Sequence, residues 1–166
     1  MKRRSVVALL AQAGLASVLL GGCGFKLRGA QTYTFQTLAI MPNPGGPLAL
    51  ELRRALGNSV RVLAPDEPLT QAQVVLDILQ EQHEKTVVGL SSAGQVREFQ
   101  LRIRVKFRVR NGQGDELMPV AEIVQRRDMS FSESAVLAKE AEEVLLYRDM
   151  QSDLVHQLTR RLAAIK

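Results

Sequence analysis

Val96-Arg97-Glu98-Phe99-Gln100-Leu101-Arg102-Ile103-Arg104-Val105-Lys106-Phe107-Arg108-Val109-Arg110 is the stretch on which the fold turns. From Phe99 onward every odd position is apolar: Phe99, Leu101, Ile103, Val105, Phe107 and Val109. Every even position is polar, and from Arg102 to Arg110 every one is basic. Side chains alternate across a strand but spiral around a helix, so a strict two-residue period over this length predicts a strand with one buried face. Phe99, Leu101, Ile103, Val105 and Phe107 are therefore expected in the core.

The strand has neighbours on both sides. Ala72 to Val88 is rich in Val, Leu and Ile, and Gly89-Leu90-Ser91-Ser92-Ala93-Gly94 then reads as a loop between glycines. On the far side Asn111-Gly112-Gln113-Gly114 is a hairpin turn signal, and Val120 to Phe131 returns as a third long strand. Three such strands predict an antiparallel meander. Upstream, the β-branched run Thr34 to Ile40 predicts a further strand, stopped by Pro42-Asn43-Pro44-Gly45-Gly46. Pro47 suits the first turn of a helix because its missing N–H costs nothing there. Leu48, Leu52, Ala55 and Leu56 then recur at helical spacing, Gly57 closes the helix, and Val60 to Leu63 is a short strand.

Downstream, Ser132 or Ser134 is placed to cap a long helix from Ala135 to Ile165. Its apolar stripe is Leu137, Ala141, Val144, Leu145, Leu154, Leu158, Leu162 and Ile165. Glu140, Glu142 and Glu143 near its start and Arg160, Arg161 and Lys166 near its end suit the helix dipole. The predicted fold class is α+β: a two-layer sandwich with two helices packed on one face of a mixed, mostly antiparallel sheet of four to five strands.

The N-terminus reads differently. Lys2, Arg3 and Arg4 precede an apolar run from Val6 to Leu20, which ends in Leu20-Gly21-Gly22-Cys23. Charge, short apolar run and small residues are the layout of an export signal. The run falls short of the ~20 residues of a membrane span, and Gln12 interrupts it. A Cys directly after small residues predicts a lipobox: cleavage before Cys23 and an N-acyl diacylglycerol on its thiol and amine. Three acyl chains exceed the two signals that hold a protein stably on a membrane. Gly24, in place of Asp, points the product to the outer membrane, anchored on the periplasmic side. The expected organisation is a cleaved signal peptide over 1–22, a lipidated N-terminus and tether over 23–31, and a single α+β domain over 32–166.

Charge narrows the function. The formal net charge of +5 includes Lys2, Arg3 and Arg4, so of 22 basic residues 19 remain against 17 acidic ones, a net +2. Together with export this argues against nucleic acid as a partner. His83 and His156 stand alone, with neither a second ligand at metal-binding spacing nor an HExxH pattern. GxSxG, Walker and GxGxxG patterns are missing, Ser91 and Ser92 lack a recognisable base, and carboxylates are scattered. An enzyme is not expected, nor any metal or cofactor beyond the lipid on Cys23. The basic ladder Arg102, Arg104, Lys106, Arg108 and Arg110, spaced about 6.6 Å along one sheet face, has two readings. It is a solvated face paired across strands with Asp77, Glu81 or Glu122, or a surface for an anionic ligand or a polar protein lumen.

Cys23-Gly24-Phe25-Lys26-Leu27-Arg28-Gly29 resembles the mature start of the LptE family, the lipopolysaccharide-assembly lipoproteins of Gram-negative outer membranes. Gly45-Gly46-Pro47-Leu48 at the first helix is similar to that family's pattern. So are Gly94-Gln95 with Glu98-Phe99-Gln100-Leu101 at a strand start, and Leu137-Ala138-Lys139-Glu140 at the last helix. The resemblance spans most of the mature chain and implies the same two-helix sandwich. It implies a plug inside the β-barrel of LptD, which helps assemble that barrel and binds lipopolysaccharide passing to the surface. The alternative class is an envelope-structure or peptidoglycan-associated lipoprotein. The resemblance also implies a lipopolysaccharide contact by a Lys opening the last helix, which Lys139 matches, and by a base at a hairpin tip, where Ser92 stands here. Lys85 or Arg97, flanking the loop, are the substitutes. Lys139 is equally placed to pair with Glu142 or Glu143 across one helical turn. The full candidate set is Lys139, Lys85, Arg97, Arg102, Arg104, Lys106 and Arg108.

Overall fold

Thr37–Met41 (β1) is the first of five strands in the computed structural model, which describes residues 31–42, 45–57 and 59–165. The expected signal peptide and Cys23, the expected lipidation site, lie outside the described residues. Helix α1 (Pro47–Leu56), strand β2 (Arg61–Val62), strands β3 (Val74–Leu90), β4 (Val96–Arg110) and β5 (Glu116–Ser130), and helix α2 (Val136–Ala163) follow. The sheet order is β2-β1-β3-β4-β5. β1 lies parallel to β2 and β3, while β3, β4 and β5 form the antiparallel meander. Among the described residues no helix is long and apolar enough to cross a membrane.

Both helices cover the same sheet face. The core joins Leu48, Leu52 and Leu56 of α1 and Met150, Leu154, Leu158 and Leu162 of α2 to Leu38, Ile40, Leu76, Leu101, Ile103, Val105 and Phe107. The two-residue period of β4 accounts for this: Leu101 through Val109 are buried at every odd position, and Lys106 and Arg108 between them are exposed. Phe99 departs from expectation. It is half-buried at the end of the sheet, its ring edge-on to Phe131 at 5.2 Å.

On the opposite face a smaller cluster, Ala39, Leu63, Ala72 and Val75, is covered by the chain between β2 and β3. There a short 3-10 turn, Leu69–Gln71, meets the β4–β5 hairpin. A Cβ on Gly112 would stand 2.7 Å from the Leu69 carbonyl oxygen and closer still to that of Ala72, so only glycine lets the backbones meet.

Several expectations need correction. In α2 only the second half of the predicted stripe is buried: Leu137, Ala141, Val144 and Leu145 face away from the sheet. A periodic pattern marks a stripe without saying which side packs. The sheet-facing positions of the first half are Lys139, Glu142, Glu143, Leu146 and Tyr147, all part-buried. Neither Ser132 nor Ser134 caps α2. Ala135 occupies that position without a side-chain cap, and the two hydroxyls bond each other at 2.9 Å. In α1, Ala49 rather than Ala55 is buried. Gly89 and Leu90 belong to β3, and β5 begins at Glu116, with Pro119 tolerated because this is an edge strand.

Candidate functional site

A register irregularity between Ile78 and Gln80 shapes the polar chemistry of the sheet. A slip of one residue exchanges the two faces of a strand. Before it Leu76 and Ile78 face the helices. After it Glu81, His83 and Lys85 do so, opposite Val105, Ile103 and Leu101. Glu81 is thereby removed from the basic ladder it was expected to pair.

Lys85 and Lys139 gather at the start of α2. The Lys85 ammonium donates to Glu143 at 2.5 Å and lies 4.4 Å from the centre of the Phe99 ring. Lys139 donates to Glu142 at 2.8 Å and to the Ser130 hydroxyl at 3.0 Å. The two lysines thus bracket β4, one reaching from β3 over the Phe99 ring and one held against β5 at Ser130. Val87, paired with Phe99, and Val88, Leu90, Val136 and Leu137 are exposed on the neighbouring elements. The part played by Phe131 was not visible in the sequence, because it needs the return of β5 alongside β4: its backbone N–H donates to the Arg97 carbonyl at 2.7 Å. The Arg97 side chain itself is exposed.

Next to Lys85, the His83 ring stacks on Tyr147 at 5.2 Å, and its Nε2 lies 3.4 Å from Glu81. The Tyr147 hydroxyl donates to the Glu84 carbonyl at 2.9 Å. Burial, then the charges of Glu143 and Glu84, push that hydroxyl above its ordinary pKa. Among the described residues no group of His, Cys, Asp and Glu could hold a metal ion.

The basic ladder lies on the face opposite the helices and alternates with acids. Arg108 and Arg110 both donate to Asp77, at 2.8 and 2.9 Å. Arg102 donates to Glu84 at 3.2 Å, and Arg104 lies 3.9 Å from Glu122. Lys106 stands between Gln80 and Glu122 without a bonded partner among the described residues. Arg102 also directly opposes Arg126. The Nε atoms of Arg102 and Arg104 are shielded from water and make no hydrogen bond. This face is a lattice of opposite charges with a cationic surplus near Arg102, Arg104 and Arg126.

The comparisons with known proteins agree with this architecture. The family model LptE, described as lipopolysaccharide-assembly, matches residues 35–162. The LPS-assembly lipoprotein LptE of Yersinia enterocolitica is 29% identical over 99% of this chain and 78% of its own length. Its counterpart in Pectobacterium atrosepticum is 30% identical over 92% of this chain and 83% of its own. Among solved structures, lipoprotein B of Nitrosomonas europaea superposes with a TM-score of 0.73 at 33% identity, covering 85% of this chain and 91% of that one. The rare lipoprotein B of Shewanella oneidensis has the same fold, with a TM-score of 0.65 at 24% identity over 78% and 95% of the two chains.

Proposed function

The chain belongs to the LptE lipopolysaccharide-assembly family, and from that premise we propose that it is the lipoprotein subunit of the outer-membrane lipopolysaccharide translocon. In this role it is seated as a plug in an LptD-type β-barrel, helps that barrel assemble, and binds lipopolysaccharide on its way to the cell surface. Acylated Cys23 anchors it to the periplasmic side of the outer membrane. The family is one of assembly lipoproteins, not of enzymes.

The observation that carries the ligand reading is the end of the molecule where Lys85 lies over the Phe99 ring, itself edge-on to Phe131, and Lys139 bonds Ser130, the residue before Phe131 in the chain. Lipopolysaccharide combines phosphates with acyl chains, and here two ammonium groups stand beside exposed aliphatic side chains. Both lysines are already paired with glutamates near the surface, but such pairs are worth only about 0–1 kcal/mol, so a phosphate can displace them. The sheet's open face is less favoured for the ligand at its Arg108–Arg110 end, because both guanidiniums there hold one largely buried carboxylate, Asp77. Its alternating charges suit a polar barrel lumen instead.

Two measurements test the reading. The full-length lipoprotein, extracted in mild detergent, should co-purify with a large outer-membrane β-barrel; recovery without one would favour the envelope-structure class. Lys139→Asp with Lys85→Asp should weaken lipopolysaccharide binding tenfold or more, since a charge-assisted contact is worth about 1.5–3 kcal/mol. Arg104→Asp should leave it nearly unchanged. The opposite ranking would move the site to the ladder.

A further inference from the structure

The first half of α2 turns an aliphatic stripe outward, while Lys139, Glu142 and Glu143 are part-buried on its sheet-facing side. Leu137 is 82% exposed, Val144 67% and Leu145 59%. Together with Ala141 they recur at intervals of three and four residues, so they form one continuous outer stripe. Followed along the helix the stripe ends at Arg148. Arg148 lines an open cleft of about 440 Å³ between α1 and α2, opposite Leu50 and Arg54. Leu50 is itself 47% exposed. The cleft's carboxylate, Glu51, accepts a hydrogen bond from the Gln151 amide at 2.8 Å. Neither Arg54 nor Arg148 has a bonded partner among the described residues.

We infer that this outer helix face is a second lipopolysaccharide site, with Arg54 and Arg148 receiving a phosphate and the Leu145–Val144–Ala141–Leu137 stripe receiving one acyl chain. The inference rests on the lipopolysaccharide reading for the identity of the ligand, but it names different residues on a different face. Two guanidinium forks beside one anion make the bidentate contacts that favour phosphate. The polarity of the surface matches that of the ligand: cations are grouped at one end and the rest of the stripe is aliphatic. From Arg148 to Leu137 the helix rises about 16 Å, a length that a single extended fatty acyl chain can cover. Burying such exposed side chains against an acyl chain is favourable, whereas the polar wall of a barrel lumen would bury them without an apolar counterpart.

The test uses the full-length lipoprotein in detergent, purified rough lipopolysaccharide as probe, and a benzophenone side chain at position 144 or, separately, at position 131. Irradiation should give a lipid adduct at position 144. Joint Arg54→Glu and Arg148→Glu substitution should reduce that adduct at least tenfold, while Lys139→Asp leaves it in place. Thermal melting of each variant shows that it is folded, as expected for changes at the surface. An adduct at 131 without one at 144 overturns the second site and leaves the proposed function standing. No adduct at either position overturns both. An adduct at 144 that survives the double charge reversal removes the arginines from the site. In cells that contain the barrel, a protein adduct at 144 in place of a lipid one would make the barrel wall the occupant and overturn the inference.

Discussion

Asp77 accepts hydrogen bonds from two guanidiniums, those of Arg108 and Arg110, with 11% of its side chain exposed. Burial alone would raise its pKa, but the hydrogen bonds and charges of Arg110 and Arg108 outweigh it, and the net shift is downward from 3.8. A carboxyl with a depressed folded-state pKa contributes stability that is present above its unfolded value and is lost as pH falls through the folded one. Asp77→Asn should therefore lower stability at pH 7 by about 1–3 kcal/mol. The difference from wild type should shrink below pH 3.8, as read by urea unfolding at a series of pH values. A gap that stays constant down to the acid limit would show that the pairing does not set the shift. Neighbouring residues of β4 should differ as sharply as the two sheet faces do. Phe107→Ala should cost about 3–5 kcal/mol and Lys106→Ala close to nothing, and equal losses would refute the assigned face.

At the scale of elements, β4 was legible because its period, its length and its bounding turns all agree, and its bounds in the structure are those read from the sequence. The meander and the β1–α1–β2 order followed from the same signals. α2 was legible as a helix but not in its orientation. Leu137, Val144 and Leu145 satisfy helical spacing as well as Leu154 and Leu158 do, and only the side of the helix that meets the sheet decides between them. The slip after Ile78 was equally hidden, since the residues on either side of Leu79 fit a strand in either register. The two halves of α2 should respond differently to truncation. Leu158→Ala should destabilise the fold by about 2–5 kcal/mol, whereas Leu145→Ala should remain within about 0.5 kcal/mol; chemical denaturation of the two variants side by side measures this. Of the candidate site, Lys139 follows from the family resemblance and Lys85 from its place beside the loop where the family's hairpin-tip base is missing. The aromatic pair beside Lys85 and the shared cleft of Arg54 and Arg148 depend on the meeting of distant segments, which no local pattern records.

For the whole molecule, the reading from Cys23 upstream predicts that Cys23→Ala accumulates as uncleaved precursor; palmitate labelling equal to that of wild type would sink the lipobox. The sheet also has an open side. β5 runs for 15 residues along its outer edge, and the sheet places no sixth strand beside it among the described residues. Pro119 and the charges of Glu116, Glu122, Arg126 and Asp128 blunt that edge, yet Leu117 and Val120 remain exposed on it. An edge of this kind recruits other copies in proportion to their concentration. A closed barrel has no free strand of its own to offer in exchange and would only wall the edge off. On the proposed seating in a barrel, the imbalance harmful to a cell is one of stoichiometry: copies of this chain in surplus over the barrel should clump, while surplus barrel should not make them do so. Light scattering that rises with the concentration of the isolated chain, and falls in Val120→Lys, would put a number on how many idle copies an envelope can tolerate.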